Sequence, residues 1–386
     1  MNLKNLEKQC LNFMAQKKEN RKRSSLKMKN NQKRMLKWMS CMVLLGAMVL
    51  SFGGCSASQG ETKAADSKDG ITVTDTMGRE IAIEKPLEKI VTYNSGLTDV
   101  LVMFGAEGTV IGRGDSVPNP DPSVDVPTVG KWNEPNIEAI MELKPEAVFT
   151  YAANMTPENE QLLESAGIKC IYLELTDVSK ATEEVTALGA LFGNEEKAAE
   201  FVKFHDKYAE LIEKKLKNVK EEDKASIYYE GYTDYKSVNK DAGGQALIAA
   251  AGGINIAAAE TAKYPEISDE WVLERNPDAI VKLVSSTKKI MGFDLTDEAP
   301  VKAFFDTLIA RPSWSNLAAV KDGKVILLSS DVGTTALGSI IGELYLAKTM
   351  YPEQFKDVDV NKVHQELQTT LYGDDLVGIF AYPTKK

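Results

Sequence analysis

Polar and aromatic residues gather at five places in this 386-residue chain, each directly after a short apolar run. Tyr93-Asn94-Ser95-Gly96 follows one run, Arg113-Gly114-Asp115 a second and Tyr151-Ala152-Ala153-Asn154 a third. In the carboxyl half come Glu230-Gly231-Tyr232-Thr233-Asp234-Tyr235 and Ser329-Ser330-Asp331-Val332-Gly333. Tyrosine rings with a few polar groups suit recognition of a bulky, partly apolar ligand. Arg113, with Lys131 as a second cation, is placed to meet carboxylate or catecholate oxygens. A small oxyanion would instead lean on hydroxyls such as Ser95 and Ser330.

Catalytic patterns are missing or weak. No GxxxxGK[ST] phosphate loop occurs, and Ala251-Gly252-Gly253-Ile254 lacks the GxGxxG spacing. The two histidines, His205 and His364, lie in helical stretches where exposure is expected, so a Ser-His-Asp triad has no ready base. Two histidines also argue against a His-rich zinc or non-haem iron centre. The sequence reads as a binder with no cofactor and no enzymatic role. The rival from another class is an extracytoplasmic lipoprotein hydrolase, which would need an activated nucleophile and base.

The charge balance is uneven. The whole chain carries 46 Lys+Arg against 56 Asp+Glu, but residues 1–37 hold 12 basic and 2 acidic residues. The remainder is strongly acidic, which disfavours nucleic acid as a partner. Residues 38–52 are apolar and end in Gly53-Gly54-Cys55. A basic start, a core of about 15 residues and small residues make a secretory signal rather than a spanning helix. The expected organisation is a signal peptide over 1–54 and a small polar tether over 55–70. Translation could equally begin at Met28 or Met35.

The elements that must position the polar clusters follow from periodicity. Residues 71–75 and 80–83 read as a hairpin around Met77-Gly78. Strands at 89–93, 109–112, 147–151 and 169–173 alternate with helices at 97–104, 137–143 and 157–166, the pattern of parallel βαβ units. Residues 194–219 then predict one long amphipathic helix, with Asn194 as its cap and an apolar stripe of Ala198, Phe201, Tyr208, Ile212 and Leu216. The βα pattern resumes at 225–229. Residues 136–149 also match residues 268–281 at a constant offset of 132: a capping residue, a first-turn Glu, an apolar helix, a Pro stop and a buried strand. Trp132 and Tyr264 stand six positions before the two glutamates. The expected architecture is α/β: two Rossmann-like lobes with mostly parallel sheets at 71–193 and 220–386, joined by one long rigid helix at 194–219.

Cys55 in its lipobox setting, the stretch Val129-Gly130-Lys131-Trp132-Asn133-Glu134-Pro135-Asn136-Ile137-Glu138 leading to Leu143-Lys144-Pro145, and the long central helix together resemble the class III solute-binding lipoproteins of ABC importers. These are the binders of iron-siderophores, haem and vitamin B12. The resemblance covers about residues 71–375. It implies limited lobe closure on ligand, a diacylated Cys55 anchoring a monomer to the outer face of the bacterial cytoplasmic membrane, and docking of Glu138 and Glu270 onto arginines of an ABC permease. It also implies ligand contacts at Trp132, Tyr151, Tyr235, Tyr264 and Asp331, beside the strand-end candidates Asn94, Ser95, Arg113, Glu230 and Tyr232. The expected ligand is an iron-siderophore-type chelate, with a corrinoid, haem or a molybdate-type oxyanion as alternatives.

Overall fold

The computed structural model describes residues 70–121, 123–373 and 375–384. The expected signal peptide, the lipidation site Cys55 and most of the expected tether lie outside the described residues. Among the described residues no helix is long and apolar enough to cross a membrane.

The first lobe opens with an antiparallel hairpin, β1 (Ile71–Thr74) and β2 (Glu80–Ile83). Its turn places Gly78 at φ 75°, where a side chain would be strained. The chain continues through β3 (Ile90–Thr92), α1 (Ser95–Phe104), β4 (Val110–Arg113), a short hairpin of β5 (Gly130–Lys131) and β6 (Glu134–Pro135), α2 (Ile137–Leu143), β7 (Ala147–Phe149), α3 (Pro157–Ser165), β8 (Lys169–Ile171) and α4 (Ala181–Phe192). The main sheet runs β4-β3-β7-β8, with every pairing parallel. β3 and β7 are buried along their whole length, as expected where helices cover both faces of a parallel sheet.

After α5 (Glu195–Leu216), the second lobe is built from β9 (Ser226–Glu230), α6 (Gly243–Ala250), β10 (Ile254–Asn255), α7 (Asp269–Arg275), β11 (Ala279–Val284), β12 (Gly292–Phe293) and α8 (Glu298–Ile309). It closes with α9 (Ala318–Lys321), β13 (Val325–Ser329), α10 (Ser330–Gly333), α11 (Ser339–Met350), α12 (Val360–Tyr372), β14 (Gly378–Ile379) and β15 (Ala381–Tyr382). Its sheet runs β10-β9-β11-β13-β15, parallel except for the last strand, which pairs antiparallel with β13.

The internal repeat has a structural counterpart in both lobes. Asn136 caps α2 by accepting from Ala139 N at 3.1 Å, and Ser268 caps α7 by accepting from Trp271 N at 3.2 Å. Each helix ends on a non-glycine residue in the left-handed region, Lys144 at φ 52° and Asn276 at φ 39°. A proline follows directly and bars continuation of the helix. β7 and β11 then begin at corresponding positions.

The 22-residue α5 is tied to both lobes. At its start, Lys197 Nζ donates to Met103 O in α1 at 2.7 Å. Farther along, Lys207 and Tyr208 donate to the two oxygens of Glu366 in α12 at 2.7 and 2.6 Å. Near its end, Lys215 donates to Asp357 at 2.5 Å. Ala198, Phe201, Phe204, Tyr208 and Ile212 form its buried stripe, and the helix packs on α4 of the first lobe and on α11 and α12 of the second. Twenty-two residues span about 33 Å at 1.5 Å per residue.

Two expectations need correction. Asn194 does not cap α5; its side chain turns back to donate to Phe192 O at 2.9 Å, because only Gly193 and Asn194 link α4 to α5. The histidines are not exposed. His364 is buried against Phe380, ring centroids 4.5 Å apart, and burial pushes its pKa down to about 4. Both ring nitrogens of His205 are also buried.

Phe201 is fully buried in α5. Phe201→Ala should therefore lower stability by about 3–5 kcal/mol. Urea unfolding measures this, and a loss below about 1 kcal/mol would deny α5 its place in the shared core.

Candidate functional site

The carboxyl ends of the first sheet's strands border an open cavity of about 280 Å³, lined by Tyr93, Ser95, Ser116, Val117, Trp132 and Tyr151. A larger cavity of about 600 Å³ in the second lobe sits at the opposite, amino end of β13, among Val325, Tyr345 and Asn361. Strand geometry favours the smaller one, because open parallel sheets bind ligands beyond their carboxyl ends.

Each wall of that cavity is held from behind. The Tyr93 ring lies flat behind Gly114, where an added Cβ would come within 2.7 Å of Cδ1, and its hydroxyl donates to Val129 O. Burial raises the Tyr93 pKa. Trp132 is 49% exposed, yet its backbone is pinned: its N–H donates to Asp115 Oδ1 at 3.2 Å, and its carbonyl accepts from Asn154 Nδ2 at 2.9 Å. The indole is thus displayed on an ordered turn. Tyr151 lies opposite, after β7, its pKa raised by burial and by nearby Glu174.

In the second lobe, Tyr232 is exposed and its hydroxyl lies 2.9 Å from Thr334 Oγ1. Thr334 in turn donates to Ser330 O at 3.0 Å. Asp331 precedes it, with Oδ2 buried and lacking a hydrogen-bond partner. Burial raises the Asp331 pKa. Asp99, one turn into α1, has an exposed side chain. Desolvation by the protein atoms around its carboxyl, followed by repulsion from Asp331, raises its pKa to about 7.

Four candidate contacts already have partners within the chain. Asn94 is buried; its Oδ1 accepts from Gly96 N at 2.8 Å, and its Nδ2 donates to Leu173 O and Glu174 O, both at 2.8 Å. It caps α1 and holds the 173–174 turn. Arg113 gives Nε to Val126 O at 3.2 Å and Nη1 to Val117 O at 2.7 Å, so it braces the loop behind the cavity. Glu230 is fully buried and receives both Nη atoms of Arg311 at 2.8 and 2.9 Å, plus Lys282 Nζ at 2.9 Å. Burial alone would raise its carboxyl, but Arg311 and Lys282 hold it below the ordinary carboxylate range. Tyr235 donates to Asp269 Oδ2 at 3.1 Å and lies under the Arg311 guanidinium at 4.2 Å. Tyr264 is exposed, with Lys263 Nζ 5.8 Å from its ring centre. Lys131 pairs with Glu134 at 3.1 Å.

Sequence reasoning missed Ser116, Thr334, Lys282 and Arg311. Lys282 left a readable signal: it is the one charge in the otherwise apolar strand Ala279–Val284. The expected docking acids Glu138 and Glu270 are both exposed in the first turns of the matched helices α2 and α7.

The folded-state value near 7 for Asp99 stands above the unfolded value of about 3.9. The folded state thus keeps a proton that the unfolded chain releases, and stability is lost as pH rises from about 4 through 7. Asp99→Asn should raise Tm at pH 8 and leave it nearly unchanged at pH 4. An equal gain at both pH values would show that this carboxylate carries no such penalty.

Known proteins share this fold. A family model described as periplasmic binding protein matches residues 90–332. An uncharacterized ABC transporter substrate-binding lipoprotein, YvrC of Bacillus subtilis, is 26% identical over 82% of this chain and 97% of its own. The molybdate-binding protein MolA of Haemophilus influenzae is 24% identical over 78% of this chain and 92% of its own. Further relatives are named for binding cobalamin, Fe(3+)-citrate and haem. The crystal structure of the TroA-like periplasmic binding protein FepB from Veillonella parvula superposes with a TM-score of 0.69, at 25% identity, covering 82% of this chain and all of that one. With two parallel-sheet lobes and strand-end aromatics in the same chain, the match over residues 90–332 is decisive: the chain belongs to the periplasmic binding protein family, solute-binding proteins that serve ABC importers.

Proposed function

We propose that this protein is a lipid-anchored receptor, attached through Cys55 outside the cytoplasmic membrane, that captures an iron-siderophore-type chelate and hands it to an ABC permease. The observation that carries this reading is the pinned, half-exposed indole of Trp132 beside Ser95 and Tyr151. An aromatic face fixed in advance loses little entropy when an organic chelate stacks on it. Tyr232 and Asp331, at the strand ends of the second lobe, complete the site.

The electrostatics narrow the ligand. Arg113 and Lys131, the two cations considered for ligand charge, are engaged with loop carbonyls and with Glu134. Asp99 and Asp331 interact with each other, have raised carboxyl pKa values and supply no positive charge for an anion. A neutral or cationic chelate fits better than an anion. In a ferric tris-hydroxamate, three monoanionic groups neutralise the metal. A corrinoid, rich in amide donors, is the second reading for the same reason, whereas molybdate and ferric citrate carry the wrong sign.

Fluorescence titration with a ferric tris-hydroxamate, cobalamin, haem, ferric citrate and molybdate tests this order. The tris-hydroxamate should quench tryptophan emission, and Trp132→Ala should weaken its binding about tenfold, the worth of about 1.4 kcal/mol of stacking. Tight molybdate binding with no response to the chelates would sink the reading.

The exposed pair Glu138 and Glu270 is proposed to dock onto permease arginines, one acid per lobe. Two fixed charges at matched sites set the register of a partner more than its affinity. Glu138→Ala with Glu270→Ala should leave solute affinity unchanged and abolish uptake of labelled solute in cells. Full uptake by the double variant would remove both residues from docking.

A further inference from the structure

The two docking helices share a backbone but not a support. Position 137 in α2 is Ile137, packed into the first lobe's apolar core, and its counterpart in α7 is Asp269. Asp269 is clamped between two donors: Trp314 Nε1 at 2.6 Å on Oδ1 and Tyr235 Oη at 3.1 Å on Oδ2. Trp314 is fully buried. Arg311 lies over both rings, 4.2 Å from Tyr235 and 4.7 Å from Trp314.

Behind this clamp lies a charge-balanced quartet. Arg311 and Lys282 meet Glu230, and the same two cations reach Asp234 at 3.2 and 2.9 Å. Lys282 Nζ also donates to Gly231 O at 2.9 Å and Tyr232 O at 3.4 Å. Residues 231–235 are therefore fixed along their length. The loop ends on Tyr235 at φ 58°, an unfavourable conformation for a non-glycine residue that persists only where surroundings enforce it. Its carbonyl accepts from Ile267 N at 2.8 Å, just ahead of α7. One end of this loop is Tyr232 at the solute site; the other is the residue gripping α7.

Resting on the docking role proposed above, we infer that Asp269 is a positioning residue: held by Trp314 and Tyr235, it presents the neighbouring Glu270 to the permease in fixed register with the solute-site loop. The first lobe has no polar clamp at the equivalent position, so the effect belongs to the second lobe alone. A positioning residue acts through the group it positions, which gives its removal a signature that general loosening of the fold lacks.

The experiment is a double-mutant cycle on docking of the full chain, without solute, to its permease complex in lipid nanodiscs. Asp269→Ala should weaken docking about tenfold with Glu270 intact and have almost no effect in a Glu270→Ala background. Combined with Glu138→Ala, its effect should be additive. Asp269→Asn keeps an acceptor for Trp314 and should recover most of the affinity. Equal losses in the presence and absence of Glu270, or unchanged docking in Asp269→Ala where Glu270→Ala weakens it, would overturn the inference. If Glu270→Ala itself leaves docking unchanged, the docking role fails first and takes the inference with it.

Discussion

The constraint on which the rest depends is the sharing of one helix's apolar stripe between two lobes. Phe201, Phe204 and Tyr208 belong to the same continuous core as residues of both sheets. Bending α5 would open contacts to α4 and to α11 and α12 at once. Close-packed interiors resist such partial openings because a gap of even a fraction of an ångström forfeits much of the dispersion energy of its lining atoms. The polar ties at Lys197, Lys207 and Lys215 fix which lobe each part of the helix serves.

On this frame, the candidate site displays its aromatic side chains rather than enclosing them. Trp132 and Tyr232 keep much of their ring surface in solvent, yet neither is free: the Trp132 backbone is hydrogen-bonded on both sides, and Tyr232 is held at its hydroxyl and its carbonyl. Exposed aromatic area that is already ordered favours association because little rotamer entropy remains to be lost. Asn94 and Arg113 contribute indirectly, one shaping the start of α1 and the other the loop at Val117.

What the sequence made legible was local. Caps, proline stops and the two apolar periods recovered the βα units, and the offset of 132 recovered the matched helices because each copy carries its own signals. The long helix was readable from its stripe. What stayed illegible was which partner each polar side chain takes in the fold. Glu230 looked like a cleft residue because it follows a strand, but it pairs in register with Lys282 on the neighbouring strand β11, 52 positions later, and meets Arg311 beyond that. Arg113 was offered to a ligand because it stands at a strand end and its guanidinium suits ligand oxygens; the partners seen are carbonyls of a loop whose path no periodicity encodes. Asn194 had the right type for a cap but the wrong space, squeezed into a two-residue corner.

The cluster around Glu230 asks why a core would hold three charged groups, Glu230, Lys282 and Arg311, with Asp234 exposed at its edge, where apolar side chains would pack more stably. Desolvating them costs several kcal/mol per ion, and their mutual attraction only approximately offsets that cost. Their arrangement supplies what an apolar cluster lacks, namely direction. Lys282 selects particular carbonyls, Arg311 selects both oxygens of one carboxylate, and any slip of residues 231–235 would leave a charge unpaired in the interior. An apolar core would tolerate such a slip by repacking. The loop between the solute site and α7 is therefore specified at the expense of stability, in a place where an error of one residue would move Tyr232 and Tyr235 together.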